Sequence, residues 1–266
     1  MKNYIKYILL GMLFGFIMCA TAGTSELKLS DAILRLGFND VILYPPFFVS
    51  MTYYFLPFLA FQIIFGTYIY RHFCSGSIYY FTRIKSRAGW FIKEILFLFI
   101  ITILYVCAII CGAIVISALI SNFSFDASGF MLMIYYIAIS GLFLFSTTLL
   151  INCLAILFTS NISFIIVEGI QIFFMAVLFL SRNVLPEEEI ENNAWFLLYN
   201  PIAHIILPLH ISRIEAIDEM LHRYDVPMDL NMSVILFAVL SVLFVFIGCI
   251  IVKNKDFITN GNQEGT

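Results

Sequence analysis

The sequence predicts an all-α membrane protein with six transmembrane helices and both termini in the cytoplasm. Three observations predict it. Of 266 residues, 62% are hydrophobic and only 12% charged, about half the charged fraction of a soluble domain, so the chain lacks the residues for a wetted surface. Six stretches meet or approach the roughly 20 apolar residues that about 30 Å of hydrocarbon requires. The basic residues gather at one end of those stretches.

The first stretch, Tyr4 to Ala22, follows Lys2 and Lys6 and ends on Ala20-Thr21-Ala22, which is also the pattern of a secretory leader with its cleavage site. It is read as a retained helix, because Gly11, Gly15, Cys19 and Gly23 form a small-residue stripe that lets two membrane helices come close. The other spans are Phe47 to Tyr70, Ile92 to Ile120, Phe130 to Phe158, Ser163 to Leu180 and Val234 to Val252. The third and fourth exceed the bilayer and are expected to tilt or project. With the amino terminus inside, nine Lys and Arg residues lie inside and five outside, while thirteen of the seventeen acids lie outside. The excess of internal positive charge sets both termini in the cytoplasm.

This topology leaves two substantial outer segments. Gly23 to Pro46 holds a short helix begun by Ser30-Asp31, with Ile33, Leu34 and Leu36 available for burial. Ser181 to Ser233 opens with the acidic run Glu187-Glu188-Glu189-Ile190-Glu191 and turns apolar from Ala194 to Leu209, interrupted by Pro201 and Pro208. That apolar part is too broken to span, and is expected to enter the outer leaflet and return where protein covers its backbone. From Ile211 to Tyr224, Ile211, Ile214, Ile217 and Leu221 recur at helical spacing opposite charged residues, the pattern of an amphipathic helix at the membrane surface. Residues 1–258 read as a single six-helix domain and 259–266 as a short flexible tail.

The net charge of -3 argues against a nucleic-acid partner, whose affinity would come from Lys and Arg neutralising phosphates. Five of the six cysteines sit in apolar runs, so neither a disulfide framework nor a metal site is expected. Cys107 and Cys111 are one turn apart with no His or carboxylate nearby, and are read as buried thiols. No phosphate-binding loop, HExxH pair or GxSxG turn is present, so any use of ATP belongs to another chain. Glu187 to Glu189 with His204, His210 and His222 raise the alternative of a glutamate-type intramembrane protease. The acidic run precedes a loop, however, and His204 and His210 fall on different faces of any helix that Pro208 permits.

Apart from Glu94 at the very start of the third span, Glu168 is the one carboxylate inside a span, with Gln171 one turn on and Asn152 on the preceding helix. A mid-membrane charge costs roughly 2.5 to 3.5 kcal/mol. Two readings stay open: a polar point on a translocation path or lock between helices, and a glutamate reaching the interface.

The segment from Arg71 to Phe91 combines Ser75 and Ser77, either able to cap a short helix, an aromatic block through Tyr80 and Phe81, and Arg83, Lys85 and Arg87. Topology alone explains the positive charge but not the aromatic block before it. In this setting Arg83, Ser86, Arg87 and Trp90 resemble the Arg-x-x-Ser-Arg-x-x-Trp-like coupling element of permeases in type-2 ATP-binding-cassette exporters, above all small bacterial permeases of peptide or lantibiotic export and self-protection. The six-span plan and Asn200-Pro201 in the last outer segment are similar too.

The resemblance implies a permease of the bacterial cytoplasmic membrane that exports or extracts an amphipathic peptide or lipid. It implies that Ser77, Tyr80, Phe81, Arg83, Lys85, Ser86, Arg87 and Trp90 meet a cytoplasmic ATPase subunit. The ATPase would bind ATP and Mg, and this chain would bind no cofactor and catalyse no reaction. A second permease chain, identical or related, and membrane lipid complete the implied partners. A third reading is a non-transporting immunity protein that sequesters a toxic peptide at Ala194 to Tyr224.

Overall fold

The computed structural model describes residues 2–20, 26–38, 47–76, 86–184, 195–221 and 228–255. In chain order the elements are α1 (Lys2–Cys19), β1 (Glu26–Lys28), α2 (Leu29–Leu36), α3 (Phe47–Phe65), α4 (Tyr68–Gly76), α5 (Arg87–Ile120), β2 (Asn122–Ser124), α6 (Ala127–Leu157), α7 (Ser160–Val184), α8 (Trp195–Leu198), β3 (His210–Ile211), α9 (Glu215–Leu221), β4 (Met228–Asp229) and α10 (Leu230–Asn254). Among the described residues five helical stretches are long and apolar enough to cross a membrane: Val49–Cys74, Arg87–Ile120, Ala127–Leu157, Ser160–Leu180 and Leu230–Asn254. The first helix is shorter, apolar over Ile5–Cys19, which is roughly 22 Å at 1.5 Å per residue. The expected tail lies outside the described residues.

At the centre is α6, against which α2, α5, α7 and α10 all pack. It has no charged residue and is the most buried of the long helices. In contrast, α10 turns Ile235, Val239, Val242 and Phe246 outward. An apolar outer face is what a hydrocarbon solvent demands, since no water is present to reward polar side chains there.

The stripe on α1 meets α5. A Cβ on Gly15 would overlap the Ile109 carbonyl, and one on Gly112 would overlap the Met12 carbonyl. Gly11 sits one turn along the same crossing, its virtual Cβ 3.0 Å from the Tyr105 carbonyl oxygen. Backbone therefore touches backbone here, a contact that only the absence of side chains permits. Gly112 completes the crossing from the partner helix and does not belong to the stripe read in the sequence. Replacing Gly15 with leucine is expected to push α1 off α5 and cost about 2–3 kcal/mol or more, seen as a lower unfolding temperature in detergent. Gly169, which has open space around it, supplies the control: Gly169→Leu should leave that temperature unchanged.

At one end of the bundle, β1 pairs in parallel with β2. The Asp126 carboxylate caps α6 by accepting from the Gly129 N–H at 3.1 Å, and also accepts from the Ser30 N–H at 3.1 Å. One side chain thus starts a spanning helix and holds the first outer segment against it. The short helix there begins at Leu29 and not at Ser30-Asp31. Asp31 lies three residues inside, where its carboxylate accepts from the Lys28 N–H at 3.0 Å.

The second outer segment is compact. After α8 come two turns of 3-10 helix, Ala203–Ile205 and Leu207–Leu209, followed by β3 pairing with β4. Ile202, Ile205, Ile206 and Leu207 are buried, so protein covers this irregular backbone, as any such stretch at membrane depth requires. The helix expected from Ile211 to Tyr224 is only Glu215–Leu221 among the described residues. Ser212 starts it: its N–H and hydroxyl donate to Asp218 Oδ1 at 2.6 and 2.8 Å. Its apolar residues Ile217 and Leu221 are fully buried against the protein, so this face covers the core and not the membrane surface.

The cysteines are free thiols. Cys19 and Cys153 are buried, but Cys107 is half-buried and Cys111 exposed, because on α5 the two point toward the apolar surroundings and not into the core.

Candidate functional site

The second crossing is two helices, α3 and α4, separated at Gly66-Thr67. A break inside a span frees carbonyls at the end of one helix and N–H groups at the start of the next, and lipid satisfies neither. Asn152, fully buried on α6, satisfies both sides. Its Oδ1 accepts from the N–H of Ile69 at 2.8 Å and of Tyr70 at 3.4 Å, while its Nδ2 donates to the carbonyls of Phe65 and Thr148 at 2.9 Å each. Arg71 closes the other side, donating from Nη2 to the Ile64 carbonyl at 3.0 Å and from Nε to the Thr67 carbonyl at 3.4 Å. A single asparagine carries the donor and the acceptor that a broken helix needs.

Above the break runs a chain of polar side chains. Gln62, fully buried on α3, donates to Thr147 Oγ1 at 2.9 Å and to Gln171 Oε1 at 3.3 Å; Gln171 donates in turn to Glu168 Oε1 at 3.4 Å. Glu168 is 8% exposed, so it does not lie open at the interface. Among the described residues no hydrogen bond joins Asn152 to it, and Asn152 serves the break instead. Gln62 is the hub of this chain and was missed in the sequence, although a lone amide in the apolar run Phe47–Phe65 was its signal. Its Oε1 is buried with no hydrogen-bond partner among the described residues.

Gln62, Thr67 and Arg71 also line one side of a cleft of about 640 Å³, opposite Asn161, Phe164 and Ile165 of α7. Among the described residues Arg71 is the only charged one on its walls.

Of the residues expected to meet an ATPase, Ser77, Tyr80, Phe81, Arg83 and Lys85 lie outside the described residues. The other three have work within the chain. Ser86 caps α5, its Oγ accepting from the Gly89 N–H at 3.2 Å. Arg87 donates from Nη1 to the Lys255 carbonyl at 3.2 Å, placing positive charge at the carboxyl end of α10 where orphan carbonyls collect. Trp90 is buried and lies 6.1 Å from Phe73 of α4, ring centre to ring centre. Tyr68 stacks on Phe97 at 5.3 Å and His72 Nδ1 meets Glu94 Oε2 at 3.2 Å, so α4 and the start of α5 form one packed pair. Ser75 falls in the last turn of α4 and therefore does not begin a helix.

His204 and His210 converge, contrary to the expectation that they face apart. The segment is 3-10 turns and extended chain, not an α-helix, and it folds both rings onto Ser233 at the start of α10. Ser233 Oγ lies 2.7 Å from His204 Nδ1 and 2.7 Å from His210 Nε2. The remaining nitrogens face carbonyls, His204 Nε2 that of Leu198 at 2.8 Å and His210 Nδ1 that of Ile206 at 3.0 Å. A carbonyl only accepts, so each neutral ring places its one proton there and turns a bare nitrogen toward the serine. Burial holds both histidines below the ordinary value, His210 at about 4, with the neighbouring His204 adding to the effect. Glu187 to Glu191 and His222 lie outside the described residues, and among those described no cluster of three metal-ligating residues forms.

These helices, with a polar chain inside and an apolar face outside, define a multi-pass helical membrane protein. Residues 5–258 match the family described as Protein of unknown function (DUF2705), and the chain belongs to that family. No curated protein and no solved structure matches it.

Proposed function

We propose that the chain is the permease subunit of an ATP-binding-cassette exporter in a bacterial cytoplasmic membrane, with six spans and both termini cytoplasmic. A separate ATPase would drive it to move an amphipathic peptide or lipid. The observation that carries this reading is the break at Gly66-Thr67. It lies between the aromatic and basic segment that would meet the ATPase and the Gln62–Gln171–Glu168 chain inside the membrane.

The physical logic is a lever. Helix α4 is packed to the start of α5 through Phe73–Trp90 and Tyr68–Phe97, so a push on residues 77–85 would move both ends of that segment together. Asn152 and Arg71 keep the break's backbone groups bonded, which makes it a defined joint with few alternative geometries. A two-state element biased by an external ATPase needs such a joint and a polar path beyond it.

Arg83 is the residue to test, because Arg87 already serves α10. Purified with its genomic neighbours in mild detergent, the chain is expected to bring an ATPase with it. Arg83→Glu is expected to leave ATP hydrolysis running while transport falls at least about tenfold, the effect of about 1.4 kcal/mol lost from the contact. Absence of any co-purifying or neighbouring ATPase would end the proposal.

A further inference from the structure

We propose that the cleft between α3–α4 and α7 binds the phosphate of an anionic, hydroxyl-bearing phospholipid headgroup. The site requires neither an ATPase nor a second chain, so it stands apart from the transport reading.

The argument starts from charge. Among the described residues Arg71 is the single charged side chain on the cleft walls, and no carboxylate lines them. Its two bonds to the Ile64 and Thr67 carbonyls hold the guanidinium at the break and occupy two of the five N–H groups that this side chain carries. Three remain without a partner among the described residues. A planar guanidinium already fixed by backbone loses little freedom when it binds, and its fork fits phosphate oxygens in pairs. Thr67 and Asn161 add neutral hydrogen-bonding groups to the same walls.

The lips of the cleft identify the ligand as a lipid. Ile63 is 59% and Ile165 68% exposed, one on each side of the opening. Both belong to helices that cross the membrane, so the opening is apolar and hydrocarbon surrounds it. A free phosphate ion gains nothing from such lips, whereas acyl chains lie along them. The cleft's volume falls within the roughly 300–1,000 Å³ usual for small-ligand sites. Gln62 stands behind these walls, fully buried, so the neutral groups that a headgroup hydroxyl meets in the cleft are those of Thr67 and Asn161. Phosphatidylglycerol has the required phosphate, hydroxyls and chains; phosphatidylcholine has the phosphate but carries a cation and no hydroxyl.

The test is native mass spectrometry of the full chain released from vesicles containing equal phosphatidylglycerol and phosphatidylcholine. The wild type is expected to retain phosphatidylglycerol roughly tenfold over phosphatidylcholine, and Arg71→Gln to abolish that preference, the scale of one charge-assisted hydrogen-bonded contact. Arg71→Lys keeps the charge and guards against a folding defect. It is expected to retain a reduced preference, because a point charge replaces the fork. Unfolding temperatures measured in phosphatidylcholine alone report whether each variant is folded. An undiminished preference in folded Arg71→Gln would overturn the proposal. Displacement of the lipid by millimolar inorganic phosphate would assign the site to the free ion and overturn it equally.

Discussion

Replacing Asn152 with leucine is expected to be the most damaging single change outside the glycine crossing. Leucine has the same branching of side-chain heavy atoms as asparagine and suits an apolar helix better, so shape and hydropathy alone predict a small effect. The hydrogen bonds predict a large one. The change strands the Ile69 N–H and the Phe65 carbonyl where no water reaches, at roughly 1–3 kcal/mol each, or about 2–6 kcal/mol together. Asn152→Asp separates the two halves of the role. A carboxylate still accepts from Ile69 and Tyr70, but it loses the amide that donates to Phe65 and Thr148 and sets negative charge against both carbonyls. Thermal unfolding in detergent is expected to rank the wild type above Asn152→Asp and Asn152→Leu, with both variants well below it. A leucine variant as stable as the wild type would mean that the break is not held by this side chain.

The same residue shows what a sequence can and cannot disclose about this protein. The long apolar helices were legible because lipid imposes one requirement everywhere along them, and composition records it. Asn152 was legible as a polar residue inside a span, yet its partner was not. The freed groups belong to backbone at Gly66-Thr67, and backbone polarity leaves no mark in residue identity. Gly112 escaped for a related reason: the stripe on α1 is visible by its spacing, whereas the second helix needs only one small residue opposite. The helical spacing of Ile217 and Leu221 marked a buried face correctly and said nothing of whether lipid or protein would bury it. Trp90 carried the family-like motif, and its contact with Phe73 gives it a packing role in the folded chain.

His204, His210 and Ser233 lead to a second large effect, this time on pH. Each ring uses its proton on a carbonyl, so two bare nitrogens face one hydroxyl that has a single proton to give. Among the described residues the charges facing this group are few. Asp229, on the strand β4 that pairs with β3, pulls His210 slightly upward and is itself bonded to Arg213 at 3.2 Å. Asp218 on α9 is held by Ser212, while the spanning part of α6 contributes tyrosines and no charge. Burial therefore dominates, and both histidines are neutral in the folded chain at pH 7.

The sign follows from where the protons bind. Above about pH 6.5, the ordinary histidine value, folded and unfolded chains both hold His210 neutral and the outer segment keeps its full stability. Between there and about pH 4 the unfolded form takes up a proton that the folded form refuses, so stability falls with the pH. At about 1.4 kcal/mol per tenfold change in proton concentration the loss reaches about 3 kcal/mol, and His204 adds to it in the same direction. The His204→Gln/His210→Gln double variant is expected to be less stable at pH 7 but to lose this slope. The difference between wild type and variant isolates the histidines from the carboxylates. Ser233→Ala should cost roughly 1–3 kcal/mol at pH 7 by leaving both bare nitrogens without a donor, while keeping the slope. A wild type whose unfolding temperature stays constant from pH 7 to pH 5 would show that the rings are not held neutral, and the hydrogen-bond assignment at Ser233 would have to be redrawn.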